Sequence, residues 1–210
     1  MMFSDILQDL LEEGLPLLGE HIFLVAVSVT VAAIIGIPLG LFIAASPRWR
    51  AIALGIANAG QTIPSLALFG FLIPLPWVGG IGARTAIEAL VLYAFLPILR
   101  NTVTGVLNID PGIRDSAVAM GMTRSQLVRL VELPLAARSI MGGLRIATVT
   151  SIGTATIAAA IGGGGLGVFV FRGIASVDKW TILAGALPAA LLALAADALL
   201  GIVERRCAVE

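Results

Sequence analysis

Long apolar runs separated by short charged breaks dominate this chain. Five runs stand out, at about His21–Ala45, Ala51–Leu75, Thr85–Leu107, Ser139–Ile161 and Trp180–Val203. Several hold at most one charge over about 20 residues, the length that crosses a hydrocarbon core of about 30 Å. The pattern predicts an all-α, polytopic membrane protein with five transmembrane helices. Trp49, Trp77 and Trp180 each fall at a run end, where indoles favour the headgroup layer.

The breaks are as informative as the runs. Five spans put the termini on opposite sides. One side then collects Arg48, Arg50, Arg100, Arg114, Arg124, Arg129, Arg138, Arg145, Arg205 and Arg206, and the other only Arg84, Arg172 and Lys179. Ten against three predicts an outside N-terminus and a cytoplasmic C-terminus. The expected layout is an external amphipathic segment at 1–20, a transmembrane domain at 21–203 with a cytoplasmic loop at about 108–138, and a cytoplasmic tail at 204–210. The segment "SDILQDLLEEGLPLLGE" sets Ile6, Leu7, Leu10 and Leu11 opposite Asp5, Asp9, Glu12 and Glu13, a pattern suited to a membrane surface. The first 47 residues hold no Lys or Arg, so a cleavable leader is not expected.

Composition agrees with a membrane protein. The chain has 210 residues, 59% hydrophobic and 12% charged, with a mean hydropathy of +1.04. Soluble domains carry about twice that share of charge. Net charge is zero, so the charge balance gives no reason to expect nucleic acid as a partner. Cys207, the single cysteine, has no internal partner for a disulfide. His21, with no Cys or acid cluster nearby, is not expected to bind a metal.

The loop at 108–138 is a polar island. Asp110 before Pro111 predicts a capped helix start, and Gly121 a stop. Thr123 and Gln126 form the spacing of a capping box that opens a second helix, expected to end at Pro134. Two short amphipathic helices in a cytoplasmic loop suit a partner's groove or the membrane surface. The small residues of the first favour a partner.

Asp115-Ser116-Ala117, Gly121, Val131, Leu133 and Pro134 match the spacing of the EAA loop of bacterial ABC importer permeases. Asp stands for Glu, Ser for Ala and Val for Ile. "QTIPSLALFGFLIP", "GMTRSQLVRLVELPLA" and "IGTATIAAAIGGGGLG" resemble the permeases of osmoprotectant uptake systems over about residues 45–201. The resemblance implies the type I ABC importer permease architecture, similar to methionine permeases, in a bacterial inner membrane. It implies that Asp115, Ser116, Ala117, Met120, Gly121, Leu133 and Pro134 couple the chain to an ATP-binding subunit, present in two copies. It implies a second permease subunit, an extracytoplasmic substrate-binding protein, and a cargo such as glycine betaine, choline or carnitine. Another small polar solute, such as an amino acid, is the alternative cargo, and an ion-coupled secondary transporter the alternative mechanism.

Lys179, the only lysine, follows Asp178, so no phosphate-cradling Gly-Lys-Ser/Thr loop exists. The chain is therefore expected to be a transport subunit and not an enzyme. It should hold no cofactor of its own, with ATP and Mg bound by the partner ATPase. A solute path is expected along the second and fourth spans, at Gln61, Thr62, Pro64, Ser65, Thr150, Ser151 and Thr154. Gln61 is expected to be buried and the hydroxyls to bond across helices. Asp197, inside the fifth span, requires a partner. Arg145 is the favoured one for a structural ion pair, with Arg100 at comparable depth.

Overall fold

The protein is described from a computed structural model, which covers residues 2–76 and 78–207, with side chains described from residue 12 onward. Trp77 lies outside the described residues. The described residues form helices and no strand. They are α1 Met2–Ala44, α2 Pro47–Gln61, α3 Ser65–Leu72, α4 Ala83–Leu107, α5 Pro111–Ala119, α6 Arg124–Leu127, α7 Leu133–Ala155, α8 Gly167–Ser176 and α9 Lys179–Arg206. A π turn at Val128–Glu132 joins α6 to α7, and a 3₁₀ turn at Thr156–Ile161 extends α7.

Four helices are long and apolar enough to cross a membrane, or five if the bent pair α2–α3 is one span. α4 and α7 lie at the centre, and α1 packs against both. Small residues permit these contacts. A Cβ on Gly105 would come within 2.7 Å of Ser139, one on Gly143 within 2.7 Å of Asn101, and one on Gly40 within 2.7 Å of Thr102. Between apolar helices in lipid, close contact of this kind supplies association that hydrophobic burial cannot. Leu24, Phe69, Leu90 and Ile152 fill the space between α1, α3, α4 and α7. α9 is the peripheral span, with 11% of its apolar window buried.

Five elements differ from the sequence expectation. The N-terminal segment is not an element of its own, since one helix runs from Met2 to Ala44. Pro16 does not interrupt it. The second apolar run is two helices, α2 and α3, meeting at 95°. Pro64 has no N–H to continue α2 and begins α3 instead. Pro134 does not end the loop's second helix. It sits in the first turn of α7, after the π turn, and the helix runs on from Arg124 to Ile161. A π turn replaces the i→i−4 ladder that a proline cannot complete with wider bonding. α8 lies in a stretch expected to be loop, and at its far end α9 continues through Glu204 to Arg206, so the expected tail begins inside a helix.

Candidate coupling and translocation sites

The loop between α4 and α7 folds by local rules. The Asp110 carboxylate accepts from the Gly112 N–H at 2.7 Å, and Pro111 occupies the first turn of α5. At the far end Gly121 has φ +81°. Its N–H donates to the Val118 carbonyl at 2.9 Å, and the Met122 N–H donates to the Ala117 carbonyl at 3.2 Å. This pair of bonds is the Schellman termination, which requires a left-handed residue at the turn. Thr123 and Gln126 then make the capping box that opens α6.

α5 turns Ala117 inward and leaves Asp115 and Ser116 exposed. Ile113 and Met120, two turns apart on one face, are 46% and 71% exposed, an apolar edge on a helix bounded by charge, and Val118 is 58% exposed on the opposite side. Leu133 and Pro134 are exposed at the start of α7, on the other side of the π turn. A shallow cleft beside α5 is lined by Gly112, Ile113, Ala117, Met120, Met122 and Val131.

One residue here was not anticipated. Glu132 is 2% exposed and lies 3.1 Å from Arg124 and 3.4 Å from Arg114. The Arg114 guanidinium also donates to the Val106 carbonyl, in the last turn of α4. An acid beside Leu-Pro in an amphipathic segment reads as a solvated position. The turn that carries it inward is a π turn, which leaves no signal in hydrophobic spacing.

The break between α2 and α3 is held differently. Gln61 donates through Nε2 to the Tyr93 carbonyl at 2.9 Å, and the Tyr93 hydroxyl donates to the Ile63 carbonyl. Gln61, expected to be buried, is exposed, as are Thr62 and Pro64, while Ser65 is half-buried. α2 buries no residue at all. A polar bend with nothing over it in one chain faces water, lipid or another chain.

On α7, Thr150 is exposed and Thr154 half-buried, one turn apart, but Ser151 is 1% exposed and lies among packed helices. The two threonines do not bond across helices. Thr150 donates to the Ile146 carbonyl at 2.8 Å and Thr154 to the Thr150 carbonyl at 3.0 Å. A hydroxyl with no neighbour in reach folds back on its own helix. Ser139 does cross, donating to the Asn101 carbonyl at 2.8 Å.

The geometry brings Arg145 and Asp197 together. The guanidinium meets both carboxylate oxygens, at 2.6 and 2.7 Å, and Glu204 joins at 3.2 Å. Gly201 lets the guanidinium lie close to α9, within 3.3 Å of where a Cβ would stand. Arg100 is exposed. At the other end of the bundle, His21 is fully buried within the protein, with Nε2 3.1 Å from the Ile152 carbonyl. Beside it the Gly165 N–H donates to Glu20 at 3.0 Å, and Arg172 pairs with Glu13 at 2.6 Å.

The profile of the family described as binding-protein-dependent transport system inner membrane component matches residues 36–209. The chain belongs to that family. Individual permeases agree. The chain is 46% identical over 187 residues to the carnitine transport permease protein OpuCD of Listeria monocytogenes, covering 89% of this chain and 82% of that one. It is 47% identical over 184 residues to the osmoprotectant import permease protein OsmW of Salmonella typhimurium, covering 86% and 85%. The fold of this permease is that of solved importers. An inward-facing structure of the MetNI methionine ABC transporter superposes with a TM-score of 0.83 at 24% identity, over 93% of this chain and 96% of that one. The loop at 108–138, the α2–α3 break and the Arg145 cluster all lie within the matched region of the permease.

Proposed function

We propose that this chain is the membrane subunit of an ATP-driven importer for quaternary-amine osmoprotectants such as glycine betaine, choline or carnitine. A separate pair of ATPase subunits drives it, and a separate external binding protein delivers the solute. The identity of 42 to 47% to permeases named for choline, carnitine and osmoprotectants carries the cargo class.

The structure supports a division of labour within the chain. α5, with fixed ends and an exposed apolar edge, is the docking element for the ATPase, at Asp115 to Gly121. The α2–α3 bend, together with Thr150 and Thr154 of α7, lines the path, and a second permease subunit covers it. Ser151 contributes to helix contacts instead. Arg145 and Asp197 form a structural pair. The loop at 108–138 is cytoplasmic and the N-terminus external, in keeping with the ten-to-three bias of Arg and Lys.

The test is uptake into vesicles carrying the chain with its ATPase and binding protein. Labelled glycine betaine, carnitine and choline are offered with and without ATP inside. ATP-dependent uptake of at least one is expected. Uptake that persists without the ATPase subunit overturns the mechanism, and failure of all three compounds overturns the cargo class.

A further inference from the structure

A buried carboxylate is costly unless it is paired. Glu132 is paired twice, by Arg124 of α6 and by Arg114 of α5, and Arg114 also holds the end of α4 through the Val106 carbonyl. One side chain on the π turn therefore ties both short helices to two of the long ones. The Arg124 contact is a hydrogen bond with a half-exposed partner. The Arg114 contact is closer to the interior but incomplete. Its Nε lies 3.4 Å away and makes no hydrogen bond, and Glu132 Oε2 is buried with none either. Arg114 Nε thus stands just out of bonding range of Oε1, the oxygen that Arg124 already holds, while Oε2 is left without a partner.

We propose that Glu132 is a positioning residue for transport. Its carboxylate passes displacement of α5 to α4 and α7 through Arg114, and the 3.4 Å gap between Arg114 Nε and the carboxylate closes to a hydrogen bond when a docked partner presses α5 inward. Buried polar groups gain most when fully bonded, so the closed and open arrangements are discrete states and not a continuum. The π turn is what aims Glu132 inward beside the exposed Leu133 and Pro134. This inference rests on the reading of α5 as the docking element.

The experiment uses the assembled transporter in proteoliposomes and measures glycine betaine taken up per ATP hydrolysed. Glu132→Gln keeps the shape and removes the charge. It is expected to retain the ATPase subunit but to lower uptake per ATP about ten-fold, towards the lower end of the usual range for coupling between sites. Arg114→Gln should match it, Arg124→Gln should fall short of it, and Glu132→Asp should recover part of the ratio. Should Glu132→Gln fail to assemble, Arg114→Lys decides instead, since lysine cannot reach Val106 and Glu132 together. A purely structural role lowers yield and melting temperature and leaves uptake per ATP unchanged in whatever assembles, which overturns the proposal. Met120→Glu, on the exposed edge of α5, separates the two readings. If it retains the ATPase fully, the docking reading has failed. If it sheds the ATPase while Glu132→Gln transports at the wild-type ratio, only the Glu132 proposal has failed.

Discussion

The loop at 108–138 and the bend at 61–65 are both polar interruptions of an apolar chain, yet they are stabilised in opposite ways. The loop is held mainly from within. Its helix ends are capped by their own residues, its turn is made by its own glycine, and its charges meet inside it. The bend depends on a residue 30 positions away, the Tyr93 hydroxyl on the Ile63 carbonyl, and leaves its amide and hydroxyl side chains uncovered. A segment whose helix ends and turn are bonded from within can be moved as a unit. A segment that borrows them can change shape when its surroundings change. The first property suits a part that is gripped, and the second a part that opens and closes.

The sharpest way to break this comparison is at Gly121. Its φ of +81° costs a β-branched residue on the order of 1–2 kcal/mol. Nothing lies within 4 Å of a Cβ built there, so the penalty is one of backbone conformation alone. Gly121→Val should therefore insert normally and lose most ATPase retention and uptake, while Gly121→Asn, which tolerates positive φ, should recover much of both. Pulldown of the ATPase from mutant membranes reads this directly. Equal retention in Val and Asn variants would show that the turn does not govern docking.

A smaller effect is expected at the bend. Tyr93→Phe removes the hydroxyl that holds the Ile63 carbonyl and leaves the ring in place. A net hydrogen bond is worth about 1 kcal/mol, about a five-fold change in the population of the bent form. Uptake should fall by about that factor with ATPase retention untouched. Loss of retention instead would mean that the bend and the loop are not independent.

The smallest effect belongs to a cap outside both regions. Asp178 accepts from the Thr181 hydroxyl at 2.6 Å and from the Trp180 N–H at 3.0 Å, at the start of α9. The Thr181 bond, then the backbone bond, hold its carboxyl below the usual range. A lowered folded value contributes stability that is present above the unfolded pKa and lost as pH falls through the folded one. Asp178→Asn should flatten the acid side of a melting-temperature profile in detergent and leave the neutral side nearly unchanged. An identical acid limb in both proteins would remove Asp178 from the account.

What could be read from sequence follows the same division. Asp110, Gly121, Thr123 and Gln126 act within a few residues of themselves, so their roles were legible and the geometry reproduces them. The long apolar runs were legible as well, because bilayer thickness sets their length. Gln61 was misjudged because burial depends on what covers a helix, and α2 has no cover within one chain. Pro64 stood among the expected path residues, but the 95° bend there was not legible, since the bond that holds it comes from Tyr93, far along the chain. Pro134 was read as a stop because the π turn before it has no compositional signature. Glu132 was missed for the same reason.

The continuity of the helix from Arg124 to Ile161 has a consequence for scale. Its 38 residues extend about 57 Å at 1.5 Å per residue, against a hydrocarbon core of about 30 Å. Roughly half of it must stand clear of the lipid tails. With the overhang on the Arg124 side, as the proposed cytoplasmic loop requires, the short helices at that end would reach past the headgroups, where a large soluble protein could approach without colliding with the bilayer. Shortening the overhang by a full turn would keep every contact within the loop intact and still bring an approaching protein about 5 Å nearer the lipid surface.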